Sequence, residues 1–158
     1  MDIQIKFLAE VPFLVPVLAQ WTYDAWSQYD PDLTVDRAME SLIQRFNSDA
    51  VPLTLVAFDG DTPVGMVSLK EQIRVPGYAD KTPWLGSMFV LPTYKGQGVG
   101  TQLLQAIHAK ASELGFKTIY LFTSEADKVS WYEKLGWQQF AKDTYHAKPV
   151  TLMSYTVS

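Results

Sequence analysis

The feature that most restricts this chain is a glycine-rich stretch, Lys95-Gly96-Gln97-Gly98-Val99-Gly100-Thr101, set between an apolar run and an amphipathic one. Trp84–Leu91 reads as a strand. Thr101–Leu114 repeats apolar residues at Leu103, Leu104, Ile107, Ala111 and Leu114, the spacing of one helical face, and Gly115 follows where a helix would end. Glycines at alternate positions strip side chains from one side of the connection, so backbone N–H groups can approach an anion closely. The helix beyond adds unpaired N–H groups and the positive end of its dipole. Lys95–Gly100 is therefore expected to cradle a pyrophosphate. Two other phosphate cradles do not fit. A P-loop ends in Gly-Lys-Ser/Thr, which is missing, and a dinucleotide fingerprint would place glycine at position 101 and follow the first strand.

Around this loop the pattern predicts an α/β (α+β) domain with a mixed sheet, elements running β-α-α-β-β-β-α-β-α-β-β. Asp2–Leu8 alternates as a strand, and Pro12–Gln28 has helical spacing. Thr34 is a fair N-cap for a second helix with Val35, Met39, Leu42, Ile43 and Phe46 inward. Pro52–Phe58 and Val64–Lys70 flank Asp59-Gly60, a hairpin signal. Glu71–Pro83 reads as a surface loop. Lys117–Phe122 is a short strand, Asp127 caps a short helix ending near Leu135, and Trp137–Phe140 and Val150–Val157 are the last strands.

The chain has 158 residues, one ordinary domain spanning 1–158. Its net charge of -4 and scattered lysines and arginines argue against a nucleic-acid partner. No apolar run approaches the roughly 20 residues that span a bilayer, and the start lacks the pattern of a signal peptide, so a cytoplasmic protein is expected, without a membrane partner. With no cysteine there is no disulfide, thiolate nucleophile or Cys-based zinc site, and the two histidines lack metal-ligand spacing, so no metal is expected. His108 reads as a partly exposed structural residue.

Two blocks together resemble the GNAT superfamily of N-acetyltransferases: Lys95-Gly96-Gln97-Gly98-Val99-Gly100, similar to the signature Arg/Gln-x-x-Gly-x-Gly/Ala, and Ser130-Trp131-Tyr132-Glu133-Lys134-Leu135-Gly136-Trp137, similar to Phe-Tyr-Glu-Lys-Leu-Gly-Phe. Their separation fits one helix, one strand and one short helix. The resemblance implies acetyl-CoA as cosubstrate. Its pyrophosphate would lie on the amides of Gly96, Gln97, Gly98, Val99, Gly100 and Thr101, with Lys95 as the cation beside them. Its pantetheine arm would pair like an added strand with Met88, Phe89 and Val90. The acceptor implied is a primary amine of a small molecule or peptide, acetylated by direct attack in a ternary complex, and the protein a monomer or homodimer.

The resemblance also implies Tyr132 as the acid. A phenol of pKa near ~10 stays protonated at neutral pH and can donate to a leaving thiolate. The base is open. The two positions where relatives carry glutamate fall on Gly86 and within Lys117–Phe122, which offers none. Glu71, Asp80, Asp24, Glu125, His146 and a water chain remain. Glu125 also stands where relatives have a cofactor-contacting asparagine. Trp21–Tyr29 and Gln72–Trp84 are the segments expected to wall the acceptor site, with Asp24 and Glu71 as partners for a substrate cation. Two further readings are an acyl-CoA-sensing module without catalysis, suggested by the missing glutamates, and an unrelated nucleotide-binding fold.

Overall fold

Side chains that alternate between the two faces of centrally buried strands explain the architecture. The computed structural model describes residues 1–157, which form the strands β1 (Ile3–Phe7), β2 (Leu53–Asp59), β3 (Thr62–Lys70), β4 (Trp84–Val90), β5 (Thr118–Thr123), β6 (Gln138–Tyr145) and β7 (Lys148–Thr156), with helices α1 (Val15–Trp26), α2 (Val35–Ile43), α3 (Val99–Glu113) and α4 (Ala126–Lys134). The strands make one mixed sheet in the order β1-β2-β3-β4-β5-β7-β6, parallel only between β4 and β5. In β2, Leu55 and Ala57 face a core shared with Leu103, Leu104 and Ile107 of α3, while Val56 and Phe58 face one shared with Leu18 of α1 and Leu42 of α2. The period of two thus puts α1 and α2 on one face and α3 and α4 on the other. Each fully buried leucine or isoleucine contributes about 1.5–3 kcal/mol to holding these layers together.

Two irregularities open the middle of the sheet. Met66 pairs with Phe89 and Ser68 with Gly86, so Val67 of β3 faces both Ser87 and Met88 of β4, and Ser87 takes the left-handed conformation (φ 53°) at this bulge. Beyond it β4 leaves β5, whose register with it covers the single pair Trp84–Tyr120. The sheet therefore splits between β4 and β5.

The mixed α/β architecture expected from the sequence is the one observed, with several boundaries shifted. The 12–28 segment begins with a 3-10 turn, Pro12–Leu14, and becomes α-helical at Val15. Thr34 caps α2, its Oγ1 accepting from the Arg37 amide at 3.1 Å. Ile43, expected inward, is 52% exposed, and Ala38 is buried instead. Asp127 is not the cap of α4; Glu125 occupies that position and Asp127 lies in the first turn. The last two strands are longer than their apolar runs, because β6 is an edge strand whose residues stay largely solvated and carry no hydrophobic signature. Its turn to β7 uses His146 and Ala147 at φ 49° and 64° with no glycine, so the usual hairpin signal is missing.

Candidate active site

The glycine-rich loop divides its tasks among its glycines. Gly96 and Gly98 have φ of 78° and 86°, and an added Cβ at either would meet nothing within 4 Å. They are there for the backbone turn and for open space. Gly100 is different: a Cβ there would come within 3.3 Å of the Trp131 ring and 3.7 Å of Val90. It lets the first turn of α3 pack on α4. Helix α3 starts at Val99, two residues before the expected Thr101, and its first backbone bond runs from the Gln102 amide to the Gly98 carbonyl. Among the described residues, the amides from Gly96 to Thr101 donate to no protein acceptor. The loop is braced from below by the Tyr94 hydroxyl on Asp59 Oδ2, 2.8 Å, and by Gln97 Nε2 on the Thr93 carbonyl, 3.0 Å. Lys95 is exposed beside it. This array of unspent amides at a helix start suits a diphosphate.

On the other side of β4 lies a cavity of about 580 Å3. Its walls come from the end of α1, from α2, from the β3–β4 connection and from the split between β4 and β5. Met88 and Tyr132 line it, while Phe89, Val90 and the residues 95–101 do not. Phe89 instead packs between Trp21 and Trp26, its ring centroid 5.2 Å from the first.

Tyr132 is buried, its ring against Trp131 and Trp137 at 4.9 and 5.6 Å. Burial, and secondarily the charge of Glu125, push its phenol well above its ordinary value. It remains a proton donor throughout the neutral range.

Of the candidate bases, Glu71 and Glu125 line the cavity. Asp24 does not; it is exposed on α1 and accepts from Gln20 Nε2. Asp80 is exposed beside Lys81. His146 stands outside the lining, 3.3 Å from Asp30 Oδ1. Within the two segments expected to wall the acceptor site, Trp26 and Tyr29 do so, but Tyr23 is exposed and Trp84 belongs wholly to the core. His108 stacks on Tyr155 at 4.1 Å, and burial lowers its pKa to about 4.

Sequence reasoning missed two side chains on the cavity floor, Arg45 and Lys70. Arg45 follows α2 and is 8% exposed; its Nη1 donates to Ser68 and Ser87 hydroxyls at 3.0 and 3.3 Å, and its Nη2 to Ser41. The Lys70 Nζ stands 3.0 Å from where a Cβ of residue 86 would be. The amine thus fills the place that Gly86 leaves empty. The signal that could have found it is the alternation of β3, which puts polar Ser68 and Lys70 on the same side of an otherwise apolar strand.

A split parallel pair beside a glycine-lined helix start would suit an extended, phosphate-bearing ligand. The chain belongs to the acetyltransferase (GNAT) family, which it matches over residues 15–137. The class is that of acetyl-CoA-dependent acetyltransferases, and the sequence resemblance is borne out at this level. Solved structures agree in fold. An aminoglycoside 6'-N-acetyltransferase complexed with coenzyme A superposes with a TM-score of 0.74 at 22% identity, over 100% of this chain and 98% of that one. A GNAT-family acetyltransferase from Streptococcus pneumoniae gives 0.74 at 20%, over 99% and 100%. A Salmonella typhimurium protein described as an acetyltransferase, solved with its cofactor acetyl-CoA, gives 0.73 at 15%, over 100% and 95%. No curated protein matches the chain in sequence. Among the described residues no helix is long and apolar enough to cross a membrane.

Proposed function

We propose that this chain transfers the acetyl group of acetyl-CoA to a primary amine held in the cavity between α2 and the β4–β5 split. The carrying observation is the run of amides from Gly96 to Thr101, free of protein acceptors among the described residues and interrupted by two glycines of positive φ. Coenzyme A and acetyl-CoA in two structural neighbours support the same reading. The amides and Lys95 hold the pyrophosphate. Met88, Phe89 and Val90, on the part of β4 that has left β5, offer main-chain groups to the pantetheine arm, and an amide there polarises the thioester carbonyl.

The amine nitrogen bonds to the carbonyl carbon as the carbon–sulfur bond breaks. Tyr132 donates its proton to the departing thiolate. The proton lost from the amine passes to cavity water, or to Glu71 or Glu125 through it. The acceptor and acyl-donor sites meet at Met88 and Tyr132, where the reacting groups would converge.

Steady-state release of free coenzyme A with a panel of primary amines tests this. Amine-dependent release is expected. Tight binding of acetyl-CoA with no release for any amine would favour a sensing role, and failure to bind coenzyme A while another nucleotide binds would overturn the cofactor assignment.

A further inference from the structure

We propose that the acceptor carries an oxyanion, a carboxylate or phosphonate beside its amine, and that Arg45 and Lys70 bind it against the Gly86–Ser87 bulge. This rests on the acetyl-transfer reading of the cavity. Both cationic heads converge on that bulge: Arg45 Nη1 lies 3.3 Å from Ser87 Oγ, and Lys70 Nζ lies 3.0 Å from the Cβ position of Gly86. Neither has a carboxylate within 4.0 Å among the described residues, where every ion pair involves other side chains. Three of the five guanidinium hydrogens of Arg45 are used on serines, which leaves two to give. Among the described residues, Lys70 Nζ donates to no protein acceptor.

Arg45 is buried and Lys70 partly so, and cations drawn out of water without a counter-ion are expensive to maintain unless something anionic visits. Burial, and then the charges of Arg45 and Arg74, hold the Lys70 ammonium well below its usual range. Three other cavity-lining basic groups are already engaged: Arg37 donates to the Asp32 carbonyl, Arg74 lies 3.9 Å from Asp30, and Lys148 donates to the Gln28 carbonyl; Lys128 lines the wall on α4, away from the Gly86–Ser87 bulge in sequence and element. Two of the cavity-lining carboxylates, Glu71 and Glu125, suit the amine end of the same acceptor. A zwitterion with its anion on the floor and its amine toward Tyr132 satisfies both ends. Of the two residues expected to partner a substrate cation, Glu71 lines the cavity and Asp24 does not.

The test compares the common L-amino acids with their carboxamides, and 2-aminoethylphosphonate with ethylamine, as acceptors and as ligands in calorimetry without acetyl-CoA. At least one acid or phosphonate is expected to exceed its neutral counterpart at least about tenfold in kcat/KM and in affinity. The winning class says which oxyanion is recognised. In Lys70→Met, that preference should collapse to within about twofold. Gly86→Asp, whose carboxylate would sit on Lys70, should remove it as well, without relying on loss of a basic residue. Equal use and equal binding of neutral and anionic partners by the wild-type protein would overturn the proposal. So would Lys70→Met lowering kcat for both classes alike with the preference intact, the mark of a base. Binding of acids without any acetyl transfer would support the anion site while refuting the acetyl-transfer reading, so the two fail separately.

Discussion

Tyr132 and His108 illustrate how burial acts on single titratable groups. The Tyr132 phenol is held protonated by its surroundings, so its removal should be felt in chemistry more than in binding. Tyr132→Phe is expected to lower kcat about 100-fold or more with little change in the KM for acetyl-CoA. Unchanged turnover at neutral pH would remove Tyr132 from the acid role. His108 has no part in that chemistry, and its effect is on stability. Its pKa falls from 6.5 to about 4 on folding because burial withdraws the ring from water. Between those values the unfolded chain takes up a proton there that the folded chain refuses. Stability is therefore full above pH 6.5, declines as the pH drops through the window, and levels off below about 4. His108→Leu should flatten this part of a denaturation series run against pH; an unchanged slope would show that other groups carry it. Residue types made both candidates visible in the sequence, but neither environment was visible. Lys70 was passed over for the same reason: a lysine at a strand end reads as solvated until the neighbouring strand is placed beside it.

At the scale of elements, the turn into α3 joins local and tertiary demands. Three alternate glycines looked alike in sequence, yet Gly96 and Gly98 serve the backbone turn while Gly100 serves the packing of α3 on Trp131. Gly98→Ala meets no neighbour, so its penalty is that of a left-handed alanine, about 1–2 kcal/mol in a denaturant titration. It should also weaken coenzyme A binding several-fold by disturbing the adjacent amides. A stability loss with unaltered affinity would take Gly98 out of the cradle. By holding Trp131, the same packing also positions the neighbouring Tyr132 at the cavity. The strand–helix alternation, the α2 cap at Thr34 and the β2–β3 hairpin were all legible, because each depends on residues close in sequence. The β6–β7 hairpin was legible only in part, since an edge strand need not be apolar and its turn has no glycine.

For the whole molecule, ligand binding should appear as a global stability gain, because the amide cradle and the split sheet exist together only in the folded state. At a hundred times its Kd, acetyl-CoA should add about 2.7 kcal/mol, raising Tm by roughly 5–10 °C in a thermal melt. No shift at that concentration would contradict the cradle. The sequence by itself determined the order of elements, the glycine-rich start of α3, and the pair of motifs shared with the GNAT family, since all of these are periodicities and short-range backbone preferences. The tertiary structure alone decided where β4 leaves β5, that Arg45 and Lys70 meet beside Gly86, and which acidic residues reach the cavity. These depend on register, on a single bulge, and on side chains brought together from 23 to 42 positions apart, and nothing local in the chain encodes such separations.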